Sequence, residues 1–254
     1  MAVKLYQNVN VGFVPPTPAT PYTEKSSTLV SHESMIEYSI GLGYAISYRQ
    51  EQQGRLIQNI VPVHKTEMEQ ISTSSKVLLA LHTETAFHPY KPDYVMLLCL
   101  RGDPTAITTY AESEDILSLL SKDTLNTLKE KRFTTGIDIS FRNKGDEKKR
   151  IPTVILEEKN GDYSFTYDAD LMQGNDRLAD EALGDIEKAI QKCTREIILS
   201  KGDLLIIDNN KTIHGRKPFQ ARYDGTDRWV QRMLVKKILP PQDFMNGHVV
   251  DYQF

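Results

Sequence analysis

The chain has 254 residues, of which 39% are hydrophobic and 26% charged, with a formal net charge of −3 at pH 7. These values fit a soluble globular protein and give no electrostatic reason to expect nucleic acid or an anionic membrane as a partner. Two cysteines exclude a disulfide framework, no apolar run approaches the ~20 residues of a membrane span, and the N terminus lacks a secretory h-region. A cytoplasmic protein is therefore expected.

The N-terminal region is rich in proline and threonine. Its run VPPTPATP cannot continue a helix or a central strand. Residues 1–37 are predicted to be an N-terminal arm, and residues 38–254 a single domain. The segment SHESMIEYSIGLG, which ends in two glycines, predicts a short helix.

Short apolar runs bounded by turn residues follow along the rest of the chain. They predict strands, namely RLIQNIVPV, SKVLLALHTE, DYVMLLCLRG, TAITTYA, TTGIDISFR, PTVILEE, YSFTYD, REIILS, GDLLIIDN and DRWVQRMLVKKIL. Two segments have helical spacing instead, SEDILSLLSKDTLNTLKEKRF and DRLADEALGDIEKAIQKC. Many short strands with few helices predict a β-rich α+β fold with a double-sheet core and flanking helices.

Polar residues at the end of one apolar run are candidate metal ligands. His82 and Glu84 lie two residues apart, so on a strand they project from the same face. An imidazole and a carboxylate are two ligands of the facial triad that binds non-haem Fe(II). His214, which follows the apolar strand of GDLLIIDNNKTIHGR, is the candidate third ligand. The alternative is a buried pair satisfied by hydrogen bonds without a metal.

Two arginines accompany the candidate ligands. Arg228 lies 14 residues after His214, and Arg232 is four residues further on, so both face the same side of one strand. Two inward arginines are hard to explain by packing and indicate two anionic groups to bind. A metal with three protein ligands can be chelated by a 2-oxo acid, and the far carboxylate of 2-oxoglutarate needs a cation such as a bidentate arginine.

The runs HTETAFHPYKPDYVMLLCLRGD, ITTYA, GDLLIIDNNKTIHGR and DRWVQRMLV resemble the clavaminate synthase-like group of Fe(II)/2-oxoglutarate oxygenases. This group contains arginine and asparagine β-hydroxylases, and the resemblance covers roughly residues 38–240. It implies a distorted double-stranded β-helix (jelly-roll) core. It also implies that His82, Glu84 and His214 bind iron and that Arg228 binds the C5 carboxylate of 2-oxoglutarate.

The resemblance further implies a hydrogen bond to the same carboxylate from Thr109, for which Thr108 is the rival. The implied reaction uses Fe(II), 2-oxoglutarate and O₂ and yields succinate and CO₂. With the carboxylate of Glu84 present, hydroxylation or desaturation is expected rather than halogenation. In relatives the position of Arg232 holds a substrate α-carboxylate, and Glu84 can receive the ammonium. Gln52, one of several adjacent polar residues, lies near a glutamine that contacts the amino-acid backbone.

A side-chain pocket is predicted in FTYDADLM, where Asp168 and Asp170 alternate on one face if the segment is extended. Arginine-specific relatives use aspartates in this region, and a carboxylate pair suits a planar cation. A free basic amino acid, L-arginine first, hydroxylated at Cβ or Cγ, is the favoured substrate. The alternative for the pair is an ordinary turn.

Other readings remain open. Within the same chemistry they are asparagine, a carrier-bound amino acid or a small amide as substrate. From other classes they are a zinc hydrolase that uses the same three ligands and a non-catalytic jelly-roll binding module. The expected partner is a small molecule, and the oligomeric state stays open between a monomer and a homo-oligomer.

Overall fold

The computed structural model describes residues 2–22, 29–143, 145–159 and 161–252. Its helices are α1 (Leu29–Ser39), α2 (Ser113–Ser118), α3 (Lys122–Leu128) and α4 (Arg177–Cys193). Its strands are β1 (Val3–Tyr6), β2 (Tyr44–Tyr48), β3 (Ile57–Ile60), β4 (Leu79–His82), β5 (Tyr94–Arg101), β6 (Thr108–Glu112), β7 (Phe133–Gly136), β8 (Arg150–Thr153), β9 (Leu156–Lys159), β10 (Asp162–Phe165), β11 (Met172–Gly174), β12 (Arg195–Ile197), β13 (Leu204–Asp208), β14 (Thr212–Arg216), β15 (Trp229–Lys236), β16 (Met245–Asn246) and β17 (Val249–Val250). None of the helices in these residues has the length and apolar character to cross a membrane.

Two sheets carry the fold. The larger has eight strands in the order β1-β13-β5-β15-β2-β17-β16, with β3 also paired to β15. The smaller has four strands in the order β12-β6-β14-β4, and its pairs are antiparallel. Short two- and three-stranded sheets, β10-β9 and β11-β7-β8, flank them. The predicted β-rich architecture with few helices is confirmed.

Both faces of the larger sheet are covered. In β5, Val95, Leu97 and Cys99 belong to one buried cluster, and the alternating residues Met96, Leu98 and Leu100 belong to another. The second cluster includes residues of α1 and of the N-terminal segment. Burial on both faces explains why this strand is a continuous apolar run instead of an alternating one.

One face of the smaller sheet packs against α4. This helix begins after Asp176, whose side chain accepts a hydrogen bond from the backbone N–H of Ala179 at 3.0 Å. Its buried stripe at helical spacing is Ala179, Ala182, Ile186, Ala189 and Ile190. Ala111 and Ile213, which pair across β6 and β14, lie in the same cluster. The residues that alternate with them, including His214, therefore face the opposite side of this sheet.

The N-terminal region is more ordered than its sequence predicts. Residues 3–6, expected to be arm or loop, form β1 and pair with β13 in register from Val3↔Ile207 to Tyr6↔Leu204. The predicted boundary between residues 37 and 38 falls inside α1, whose Met35 is fully buried. A run of four residues, none of them fully buried, has too weak an apolar pattern to predict an edge strand.

Candidate metal centre and substrate cavity

The three predicted metal ligands meet at one point. His82 ends β4 and pairs directly with His214 in β14, while Glu84 follows two residues after β4. One potential ligand atom from each side chain lies within 4.8 Å of the other two. Glu84 and His214 are buried, and Glu84 Oε2 is 3.6 Å from His214 Nε2. Glu84 and His214 are 130 residues apart in the sequence, and the pairing of β4 with β14 brings them together.

The histidine environments fit a metal. Nδ1 of His82 lies 2.8 Å from the carbonyl oxygen of Ala80, so this nitrogen donates and Nε2 keeps its lone pair for a ligand bond. Nδ1 of His214 is buried without a hydrogen-bond partner in the part of the chain that the structure describes. Two imidazoles and a carboxylate that converge are the donor set of the Fe(II) facial triad.

The surroundings of the triad favour the liganding forms of Glu84 and His214 and the protonated form of His82. Burial acts to raise the pKa of Glu84, but Arg232 and His214 outweigh burial and hold that pKa well below the usual carboxyl range. Burial lowers the pKa of His214. Burial also acts to lower the pKa of His82, but Glu84 and Asp168 outweigh it and raise that pKa, so a bound cation would displace a proton there.

The backbone of Glu84 is fixed by one side chain. The amide oxygen of Asn209 accepts from the N–H of Glu84 at 2.8 Å, and its amide nitrogen donates to the carbonyl of Glu84 at 3.1 Å. The same nitrogen donates to the carbonyl of Pro92 at 2.9 Å. The next residue, Thr85, has a φ of 50°, which is uncommon for a residue other than glycine. Asn209 thus ties the turn after β4 to the end of β13.

A cavity of about 370 Å³ adjoins the triad and is lined by residues of both sheets. Arg228 lines it and is buried, and no carboxylate of the described residues lies within 4.0 Å of its guanidinium. Burial lowers its pKa. Arg216 also lines the cavity, with Ser74 Oγ as a neutral partner at 2.9 Å, and burial together with Arg228 lowers its pKa to about 9. Two buried guanidinium groups make this end of the cavity strongly cationic.

The structure distinguishes the two candidate threonines. Thr108 pairs with Arg216 and Thr109 with Gly215, and side chains directly opposite each other share a face. Thr108 lines the cavity with Arg228, whereas Thr109 does not. The hydroxyl oxygen of Thr109 instead lies 3.2 Å from where a Cβ on Gly215 would be. The predicted Thr109 is therefore on the outer face, and its rival Thr108 is on the cavity face.

Arg232 lies between carboxylates. Its Nη1 donates to Glu84 Oε1 at 2.8 Å, and its Nη2 is 2.8 Å from Glu51 Oε2. Gln58 Oε1 accepts from Nε at 3.1 Å and from Nη2. Gln52 also lines the cavity, but its side-chain amide is paired with the backbone of Asn59, so its predicted substrate contact would require that pairing to change.

Carboxylates line another side of the cavity. Asp168 is buried beside His82, and its Oδ1 accepts from the N–H groups of Asp170 and Leu171 at 2.9 and 2.7 Å. The predicted pair thus forms a turn and also lines the cavity, although Asp170 is exposed. Asp138, which the sequence did not single out, is a third lining carboxylate. Burial and Asp168 raise its pKa to about 7.

Four residues of the site were missed from the sequence: the cavity-lining Glu51, Asp138 and Arg216, and Gln58, which accepts hydrogen bonds from Arg232. Asp138 had one signal, a lone acid inside the apolar run TTGIDISF. Arg216 had another, since it lies two residues after His214 on the same strand face. Glu51 and Gln58 are polar residues among several in RQEQQGRLIQ, and nothing in that run distinguishes them.

A two-histidine, one-carboxylate site beside a cationic pocket, built from two sheets, is the arrangement of non-haem iron oxygenases. The chain belongs to the taurine catabolism dioxygenase TauD, TfdA family, whose model matches residues 29–234.

The similar proteins include hydroxylases and oxygenases of amino acids. The L-lysine 3-hydroxylase of Catenulispora acidiphila is 33% identical over 228 residues, which cover 87% of this chain and 63% of the relative. The L-asparagine oxygenase of Streptomyces coelicolor is 35% identical over 224 residues, covering 87% and 66%. This chain therefore spans about two thirds of the length of these relatives, or slightly less.

Solved structures of non-haem iron oxygenases have a similar fold. The non-haem iron oxygenase OrfP in complex with Fe, succinate and (3S)-hydroxy-L-Arg superposes with a TM-score of 0.89 at 28% identity, covering 98% of this chain and 82% of OrfP. OrfP has also been solved with Fe and alpha-ketoglutaric acid, and that structure gives a TM-score of 0.86 at 30% identity, with 98% and 81% coverage.

Proposed function

We propose that this protein is an Fe(II)- and 2-oxoglutarate-dependent dioxygenase that hydroxylates Cβ or Cγ of a free basic amino acid, with L-arginine first. The observation that carries the proposal is the converging His82, Glu84 and His214 beside a buried Arg228 that lacks a carboxylate partner in the described chain. We further propose that the two main sheets form the distorted double-stranded β-helix that the sequence resemblance implies.

His82, Glu84 and His214 would hold the iron and leave positions open for a chelating 2-oxo acid and O₂. When bound, Fe(II) with 2-oxoglutarate and O₂ supplies an oxidant able to remove hydrogen from an unactivated carbon. The protein's own task is to bind and orient the two organic molecules and to keep bulk water away. The buried side chains around the triad support that task.

Arg228 is the proposed partner of the far carboxylate of 2-oxoglutarate. A buried guanidinium without an anion is costly, and a bidentate carboxylate offsets that cost. For the accompanying hydrogen bond we propose Thr108 in place of Thr109, because Thr108 shares the cavity with Arg228. Arg216 adds positive charge at the same end, which favours a dianion over a monocarboxylate.

For the amino-acid substrate, we propose that Arg232 binds the α-carboxylate and that Asp138, Asp168 and Asp170 face a cationic side chain. Three carboxylates in one cavity favour a cation, and a planar guanidinium can donate hydrogen bonds to several of them at once. Two relatives act on or bind basic amino acids, as the names L-lysine 3-hydroxylase and OrfP with hydroxy-L-Arg state. Asparagine, the substrate named for another relative, is the second candidate.

A mass-spectrometric screen tests the substrate. The purified protein is incubated with Fe(II), 2-oxoglutarate, ascorbate and each proteinogenic amino acid, and products are sought at +16 for hydroxylation or −2 for desaturation. We expect arginine to react best, with lysine or another basic amino acid next. Exclusive reaction with neutral amino acids would refute the role of the carboxylates. Reaction with none would direct the search to carrier-bound amino acids or small amides.

An anaerobic titration tests the metal chemistry. Fe(II) followed by 2-oxoglutarate should give the weak visible charge-transfer band of the chelate, and the protein should slowly convert 2-oxoglutarate to succinate without a substrate. A zinc hydrolase would bind Zn²⁺ without any response to 2-oxoglutarate. A binding module would retain no metal at neutral pH. Either result would contradict the proposed dioxygenase.

A further inference from the structure

The three proposed metal ligands differ in what holds them in place. His82 and His214 lie on strands and are directly opposite each other at the end of the β4–β14 ladder. Glu84 lies two residues beyond β4, in a turn, so this ladder does not extend to its backbone. A carboxylate on a turn needs a further restraint if it is to meet two histidines that a sheet already fixes.

The side chain of Asn209 supplies such a restraint. It accepts from the N–H of Glu84 at 2.8 Å and donates to the carbonyl of Glu84 at 3.1 Å, so one amide holds both backbone groups as a neighbouring strand would. Its second N–H donates to the carbonyl of Pro92 at 2.9 Å, and Asn209 is fully buried. Turning the amide over would set its oxygen against two carbonyls, so the amide has one favourable orientation.

The place of Asn209 in the chain connects this contact to a second ligand. Asn209 lies in the turn between β13 and β14, and His214 is the third residue of β14. The amide therefore links the turn that carries Glu84 to the strand that carries His214. Metal ligands must be held to within about 0.5 Å of their working geometry. A restraint between two of them therefore bears on metal affinity.

We propose that Asn209 is a positioning residue of the metal centre, whose side-chain amide sets the place of the Glu84 carboxylate and so strengthens the binding of a divalent metal by the triad. This inference rests on the proposed function, since it takes Glu84 as a metal ligand. Asn209 itself does not line the cavity, so it acts through Glu84 and has no contact with the substrates.

The test measures the dissociation constant for Co(II), used in place of the air-sensitive Fe(II), by calorimetry on the metal-free protein. Asn209→Ala should raise it about ten- to hundredfold, the usual effect of losing a group that orients a metal ligand. The matched control is Asn210→Ala. Asn210 makes side-chain hydrogen bonds with Lys91, Ser164 and Asp93, and none of these residues is a proposed metal ligand. This control should lower the melting temperature and keep the wild-type affinity for Co(II).

A double-mutant cycle checks whether Asn209 acts through Glu84. In the Glu84→Ala background no carboxylate remains to be positioned, so adding Asn209→Ala should change the dissociation constant for Co(II) little. If Asn209→Ala weakens Co(II) binding equally in both backgrounds, the inference is wrong. It is also wrong if Asn209→Ala and Asn210→Ala weaken binding equally, because Asn209 would then only support the fold.

Should Asn209→Ala fail to fold, Asn209→Asp and Asn210→Asp repeat the comparison. Asn209→Asp keeps an acceptor for the N–H of Glu84 but sets an oxygen against the carbonyls of Glu84 and Pro92, so Co(II) binding should weaken in this variant and not in Asn210→Asp. Wild-type affinity in Asn209→Asp would overturn the inference and leave the proposed function intact. A wild type that binds neither Co(II) nor Fe(II) would overturn both.

Discussion

The two ends of the cavity differ in how their charges are compensated. At the cationic end, Arg216 and Arg228 are buried with no carboxylate partner among the described residues. They line the same cavity as the proposed iron ligand Glu84, whose backbone is fixed by Asn209. At the acidic end, burial and the neighbouring Asp168 raise the pKa of Asp138 to about 7. The excess charge at each end is unfavourable alone, and the proposed dianionic cosubstrate and cationic substrate would each compensate one of the two ends.

Loss of the proposed iron ligands should have the largest effect, because the proposed reaction depends on the metal. His82→Ala, Glu84→Ala or His214→Ala should abolish coupled succinate formation. The fold should survive, since these side chains lie at strand ends or in the cavity and contribute little to the apolar clusters. Succinate assays with circular dichroism check this. His64→Ala, which changes a histidine outside the cavity, is the control, and near-wild-type turnover in any ligand variant would refute its role.

Neutralising the cationic end of the cavity should have the second-largest effect on activity. Arg228→Gln removes the charge proposed to bind the far carboxylate of 2-oxoglutarate. A charge-assisted hydrogen bond contributes about 1.5–3 kcal/mol, so the KM for 2-oxoglutarate should rise about ten- to hundredfold. Steady-state kinetics at saturating arginine measure it. The exposed Arg222→Gln should leave that KM unchanged, and an unchanged KM in Arg228→Gln would mean that the dicarboxylate binds elsewhere.

Neutralising the acidic end should affect the other molecule. Asp168→Asn keeps an oxygen for the N–H groups of Asp170 and Leu171 but loses the charge, and should raise the KM for arginine about tenfold or more. The KM for 2-oxoglutarate should change little. The exposed Asp162→Asn is the matched control. Equal loss in arginine turnover and in substrate-free 2-oxoglutarate decarboxylation would assign Asp168 to the fold or the metal site.

The acidic end should also respond to pH. Because the pKa of Asp138 is raised to about 7, this carboxyl is protonated below that pH and ionised above it. Only the ionised form attracts a cation, so the KM for arginine should fall as the pH rises and level off above the pKa. Bound Fe(II) adds positive charge nearby, which places the inflection at or below pH 7. Asp138→Asn should remove the inflection, and its persistence would assign it to another group.

The smallest effect is expected from replacing one of two adjacent threonines, Thr108 and Thr109. Thr108→Val should raise the KM for 2-oxoglutarate about three- to tenfold, the range for one lost hydrogen bond. Thr109→Val, with the same change of atoms on the outer face of β6, should leave it unchanged. Kinetics of the two variants side by side provide the measurement. The reverse result would restore the original sequence prediction.

The β-rich type of fold and the local pairs of polar residues follow from patterns that are visible in the sequence alone. Alternation on a strand predicted that His82 would share a face with Glu84, and Arg228 with Arg232. All four residues line the cavity, although Glu84 lies in the turn after β4 and Arg228 immediately precedes β15. Apolar runs predicted β3, β5, β13 and β15 of the larger sheet and β4, β6 and β12 of the smaller one, but not β1, β2, β14, β16 or β17. The spacing in DRLADEALGDIEKAIQKC predicted α4. Strand alternation and helical spacing depend on residues that are close together in the sequence, so they can be read from it directly.

The contacts between segments that are distant in the sequence become visible only in the tertiary structure. The register of β14 with β6 assigned Thr108 to the cavity and Thr109 to the outer face. Packing brought Asp138 to the acidic end and Glu51 to Arg232, and pairing with β13 turned residues 3–6 into a strand. A one-residue difference in register reverses the face of a side chain, and long-range pairing leaves no periodic mark in the sequence, so these contacts follow only from the folded sheets.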